Sequence, residues 1–218
     1  MRRPFIALIL ALAALPVHAG GAQIIRGGGR FTVKDPQLWV SGGIGWQQGW
    51  SVFDGATGTQ WDFSDAVAYG ASVERTLTGG TTLALRGTTA RVPVAYVPTR
   101  GSITALQADA NVSQAYVGIH VANGRGFHSV LELGAGATIY SGFKQRGSSQ
   151  PLPPDKADAD FAFVFGYGLG YSFSPSFSVD VVQDLATSLH QKTGLAAGES
   201  SSSRLSGTRL VARYGFGG

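Results

Sequence analysis

Six charged residues of the 218-residue chain stand where their side chains have only one another to meet. Glu74, Glu132, Asp180, Asp184, Arg209 and Arg213 each interrupt an apolar, alternating stretch, always on the face that carries its small residues. In an extended strand alternate side chains point to opposite faces. The six therefore share the inside of a sheet whose other face is oily. Antiparallel pairing of the last two strands would set Asp180 against Arg213 and Asp184 against Arg209, and Arg86 joins them if its local phase holds. Such a set can serve as a structural plug of salt bridges or as a path for ions. Stranding one buried partner costs about 3–5 kcal/mol, so the structural reading is preferred.

Other reactive combinations are weaker. A serine nucleophile needs an adjacent base and an orienting acid. Beyond the leader the histidines are His120, His128 and His190, and His128 and Ser129, as neighbours on one strand, point to opposite faces. Asp155, Asp158 and Asp160 could attract a divalent cation, but they lack the glycine and distal Glu of a calcium loop. The glycines at 27–29 have no following Lys-Ser/Thr, against a phosphate loop. With no cysteine, disulfides, thiolate metal sites and a lipid-anchored cysteine are excluded. No catalytic residue, metal or cofactor is assigned. Lys144, Arg146, Lys156, Lys192 and Arg204 lie in or beside the two longest loops and could meet lipid phosphates through charge-assisted contacts.

The elements that must hold these residues are strands. Residues 158–174 read DADFAFVFGYGLGYSFS. Phe161, Phe163, Phe165, Tyr167, Leu169, Tyr171 and Phe173 occupy one face, while Gly166, Gly168 and Gly170 lie among small residues on the other. A half-buried soluble strand would carry Lys, Glu, Thr or Gln outside, whereas a strand facing lipid looks like this one. Similar stretches begin near Leu38, Thr59, Thr81, Ser102, Phe127, Phe177 and Arg204, which makes eight strands. The first two are read with Trp50, Val52, Trp61 and Phe63 on the oily face. In the third and fourth the apolar parity changes midway, and Gly87 is the expected site of a phase-switching bulge. Trp46, Trp50, Trp61, Phe63, Phe161, Tyr171, Phe173, Tyr214 and Phe216 gather towards strand ends, as interface girdles do.

Residues 1–19 have a basic start, an apolar run and Val17-His18-Ala19, which is a secretory signal peptide with cleavage after Ala19. Loss of Arg2 and Arg3 takes 17 basic residues to 15 against 13 acidic ones, a net +2 that argues against a nucleic-acid partner. Residues 20–37 form a glycine-rich lead-in, and 38–218 the barrel domain. Connections after the second, fourth and sixth strands are short, while those after the fifth and seventh are long. This parity suits outer-membrane barrels.

The pattern resembles the small eight-stranded outer-membrane barrels of the OmpA/OmpX type in Gram-negative bacteria. The resemblance covers essentially the whole mature chain as a pattern, and its most specific part is the last strand. Leu210, Ala212, Tyr214 and Phe216 match the amphipathic terminal strand read by the barrel-assembly machinery, although Gly217 and Gly218 follow the aromatic residue. Outer-membrane lipid A deacylases carry a His-x-Ser motif on a late strand, whereas His190 is followed by Gln191 and Lys192.

The expected fold is an all-β, eight-stranded antiparallel up-and-down transmembrane β-barrel in the outer membrane. The expected role is non-enzymatic: envelope integrity or surface interaction through the outer loops, as a monomer in contact with outer-membrane lipid and lipopolysaccharide. The alternatives are a narrow pore for ions or a small apolar solute, and a soluble lipocalin-like binding barrel.

Overall fold

The computed structural model describes residues 36–217 apart from 56, 100, 101, 103, 123–125, 149 and 191–201. The signal peptide, nearly all of the lead-in, the turn at 123–125, Lys192 and Gly218 lie outside the described residues.

Ten strands follow one another: β1 (Leu38–Gln47), β2 (Trp50–Asp54), β3 (Thr59–Phe63), β4 (Ala66–Thr78), β5 (Thr81–Val97), β6 (Leu106–Ala122), β7 (Gly126–Gln145), β8 (Asp158–Ser174), β9 (Phe177–Leu189) and β10 (Ser202–Phe216). Among the described residues eight of them, β1 and β4–β10, are the staves of an antiparallel up-and-down barrel. It closes through β1 with β10, from Leu38↔Phe216 to Gln47↔Gly207, and through β5 with β6. The remaining two, β2 and β3, form a hairpin at the outer end, with β3 pairing to the top of β5.

Outward residues are oily throughout the barrel's middle. Leu133 and Leu169 are 67% and 69% exposed. Each such side chain would forfeit about 1.5–3 kcal/mol in water relative to burial. A continuous band of them therefore requires an apolar surround rather than solvent. From Phe161 to Phe173 β8 runs about 40 Å at about 3.3 Å per residue. A strand tilt of about 40° turns that into about 30 Å of height, close to a bilayer's hydrocarbon layer. Phe127, Tyr171, Phe173, Phe177, Tyr214 and Phe216 meet in edge or tilted contacts at 4.8–5.7 Å, forming a girdle at the end of the short turns. The barrel is of the outer-membrane type.

Two sequence expectations are corrected. Trp50, Val52, Trp61 and Phe63 are buried at 7%, 3%, 0% and 5% exposure, so they are neither lipid-facing nor girdle residues. The ladder breaks at Gln48-Gly49 and at Ser64-Asp65, where the strand parity slips by one. Asp65 pins the first break by accepting from the Gly49 amide (2.7 Å) and from Trp46 Nε1 (3.1 Å). There is also no bulge at Gly87. The pairing of β5 with β4 and with β6 is continuous through it, and even-numbered residues of both β5 and β6 point inward from end to end. The apolar row changes face because the surroundings change: Leu83 and Val117 meet the membrane, whereas Val92, Val94, Tyr96 and Val112 meet the hairpin. A real bulge lies on β7, where Gly142, at φ +63°, adds a residue opposite β6 and turns Phe143 inward.

Candidate functional site

The lumen is filled in three levels. At mid-height Arg86 of β5 donates to Glu132 Oε2 (2.7 Å) and Asp184 Oδ1 (3.2 Å). Arg209 of β10 donates to Asp184 Oδ2 (2.8 Å) and, through a short contact, to the same Glu132. Two cations thus alternate with two anions in a closed ring, with His120 Nδ1 2.8 Å from the free oxygen of Glu132. Gly166 makes room: a Cβ there would lie 2.9 Å from Asp184 Oδ1 and 3.2 Å from the Glu132 Cβ. The space left beside the ring is about 70 Å³ on one side and about 30 Å³ on the other. That suits a few waters at most.

Towards the end of the short turns, Arg213 bonds both oxygens of Glu74 (2.5 and 3.3 Å) and stacks over Trp39 at 4.8 Å. Its expected partner Asp180 pairs with it more loosely, at 3.9 Å, and lies closer to His128 Nε2, at 3.2 Å. Arg213 prefers Glu74 because β4 and β10 both flank β1, so these two chains converge across it. Ser172 Oγ lies 3.4 Å from His128 Nδ1, giving a Ser-His-Asp sequence that the neighbouring Ser129 had concealed. Nδ1 also faces the Gly126 carbonyl oxygen at 3.0 Å, closer than Ser172, so the serine competes with the backbone for that nitrogen.

At the outer end the hairpin folds over the mouth. Trp61 packs against Phe143 (4.7 Å), Tyr140 (5.7 Å) and His190 (5.6 Å), and Phe63 stacks between Trp50 and Tyr140. Around this apolar plug sits an acidic group. His190, just beyond β9, holds Asp160 through Nδ1 at 2.8 and 2.9 Å. Asp158 Oδ2 lies 3.8 Å from Nδ1 and Asp54 Oδ1 lies 3.8 Å from Nε2. Burial alone would pull the His190 ring down. The hydrogen bond and charge of Asp160, with the charges of Asp158 and Asp54, outweigh it and hold the ring above its ordinary value.

Of the basic loop residues, Lys144, Lys156 and Arg204 are exposed. Arg146 is engaged by Asp109 at 2.6 Å. They are spread over β7, the following loop and β10 rather than gathered in one patch. Leu210, Ala212, Tyr214 and Phe216 all point outward along β10, zipped to β1.

Sequence reasoning singled out Asp158 and Asp160 but missed Asp54, the pairing of Asp160 with His190, and the plug aromatics. Parity could have found that pairing, since Asp160 shares the inner face with Ala162 and His190 with Ser188. It could not find Asp54 without the slip at Gly49.

No family model and no curated protein matches the sequence. Solved structures are similar in fold. Ail, the attachment invasion locus protein of Yersinia pestis, is 16% identical over 84% of this chain and 100% of its own, with a TM-score of 0.46. Neisserial surface protein A is 10% identical over 82% of this chain and 97% of its own, with a TM-score of 0.49. The outer membrane protein OprG from Pseudomonas aeruginosa is 14% identical over 84% and 94%, with a TM-score of 0.46.

Proposed function

We propose that the chain is a closed, non-enzymatic outer-membrane barrel that supports the envelope or presents its outer connections to surface partners. The observation that carries this reading is the filled lumen. The ring of Arg86, Glu132, Arg209 and Asp184 crosses the middle, and the Trp61–Tyr140–Phe143 plug closes the outer mouth. An eight-stranded barrel is just wide enough for side chains to fill it. A space of about 320 Å³ lined by Trp39, His128, Ser178 and Arg213 lies at the end of the short turns.

In this reading residues 1–19 direct export, the short turns face the periplasm, and the chain works as a monomer. Leu210, Ala212, Tyr214 and Phe216 form the signal for the barrel-assembly machinery. Exposed Lys144, Lys156 and Arg204, with Lys192, are available to lipopolysaccharide phosphates. Planar-bilayer recording on the purified barrel tests closure. A silent bilayer at protein levels that insert fully is expected; steady single-channel steps would establish a narrow pore instead.

A further inference from the structure

We propose that the outer mouth holds a divalent transition-metal ion of the zinc class, liganded by His190 Nε2, Asp54 and Asp158, with Asp160 orienting the histidine from behind. The ligand atoms of Asp54, Asp158 and His190 all lie within 4.8 Å of one another. Tetrahedral ligands about 2.1 Å from an ion stand about 3.4 Å apart, so the group must contract to hold one. Asp54 Oδ1 already lies 3.8 Å from Nε2, whereas Asp158 Oδ2, 3.8 Å from Nδ1, has to rotate towards the Nε2 side.

The observation independent of the acidic cluster is the histidine itself. His190 is 5% exposed, and its Nε2 is a buried atom with no hydrogen-bond partner, aimed at Asp54 Oδ1 from 3.8 Å. An orphaned buried nitrogen carries a desolvation cost that a ligand removes. Its other nitrogen is held by both oxygens of Asp160. This carboxylate–histidine arrangement fixes the ring and raises its basicity towards a metal on the far side. In turn Ser188 donates to Asp160 at 3.1 Å, and Thr57 donates to Asp54 Oδ2 at 2.5 Å, so both of these carboxylates are themselves oriented. One imidazole with two carboxylates suits zinc or manganese, whereas calcium and magnesium prefer oxygen alone. The ligands come from the end of β2, the start of β8 and the end of β9. An ion among them would tie the hairpin across the mouth to the opposite wall, beside Trp61.

The test uses the full mature barrel without a histidine tag, folded in detergent and stripped with chelator. Zinc chloride is titrated in by calorimetry, and thermal unfolding is followed in parallel. One ion per barrel and a raised unfolding midpoint are expected, with calcium and magnesium binding at least tenfold more weakly. Asp54→Asn and His190→Gln should each weaken zinc at least tenfold, and Asp160→Asn by about 10–100-fold. His128→Gln should leave it unchanged. Heat-modifiable gel migration identifies the folded variants. If His190→Gln fails to fold, Asp54→Asn on the hairpin decides alone. The proposal is overturned if the parent takes up no zinc saturably, if calcium is preferred, or if zinc binding survives the folded Asp54 variant.

Discussion

Arg86 and Glu132 meet at 2.7 Å although their strands do not touch. The strand between them, β6, contributes His120 to the same carboxylate. Glu132 also accepts from Arg209, so one carboxylate joins β5, β6, β7 and β10 through the lumen. Hydrogen-bonded ladders join only adjacent strands. The polar ring is what ties the wall across its diameter.

Removing one member should therefore cost more than one contact. Arg209→Ala leaves Glu132 and Asp184 with Arg86 as their remaining guanidinium, and a loss of about 3–5 kcal/mol is expected. Urea unfolding in detergent, read by gel migration, checks it. An Arg209→Ala barrel unfolding at the parent's midpoint would dismiss a structural role for the ring. In a double-mutant cycle, Arg86→Ala with Glu132→Gln should cost less than the sum of the single changes, because the double variant strands fewer charges.

The plug should be as consequential as the ring. Trp61 is fully buried and packs against the rings of Phe63, Tyr140, Phe143 and His190 as well as donating through Nε1 to Thr59 at 2.8 Å. Trp61→Ala should cost about 3–5 kcal/mol, as large core truncations do. The hairpin should then loosen before the wall does. Limited proteolysis should cut between Asp54 and Thr59 in this variant while the eight-stranded remainder keeps its heat-modifiable migration. Protection equal to the parent's would mean that the hairpin is held by something other than its aromatic packing.

Much of this arrangement was legible in the residues, and the failures share one physical cause. Alternation separates two faces of a strand but does not say what each face meets. Along β8 the inner face is glycine and the outer face aromatic, so the assignment was unambiguous. Along β5, Leu83 and Val94 look alike on paper, yet one meets lipid and the other meets Trp61's plug, and the change of face looked like a change of phase. Trp50 and Trp61 read as girdle residues because Gly49 and Ser64, where the ladder breaks, leave no mark in a period-two pattern. The contact of Arg213 with Asp180 across adjacent strands was legible, at 3.9 Å, but its closer partner was not, because the wall's curvature brings Glu74 nearer from two strands away.

Glycine on the inner wall is required by volume at a specific place. A Cβ on Gly170 would stand 2.1 Å from Asp180 Oδ1 and 2.4 Å from His128 Nε2. Gly170→Val must therefore break the His128–Asp180 pair or push β8 outward. A markedly lower yield of folded barrel is expected from refolding into detergent. Gly42 faces outward with open space around its would-be Cβ and serves as the control, because Gly42→Ala should fold like the parent. Equal folding of the two variants would mean that the lower lumen is looser than its distances imply.

The lipid belt is tested by placing a charge at two depths on one strand. Phe165 lies near the middle of β8 and is 43% exposed, while Phe173 lies at its end and is 64% exposed. Exposure to solvent alone would make the two positions alike, or would favour disruption at the more exposed one. Hydrocarbon reverses that order. Phe165→Arg should cost about 2–4 kcal/mol and Phe173→Arg about 0–1 kcal/mol, because the penalty for arginine fades from the bilayer midplane to the interface. Folding into phosphatidylcholine vesicles along a urea gradient measures both. Equal costs at the two depths, or full solubility of the parent without detergent, would remove the membrane from the account of this fold.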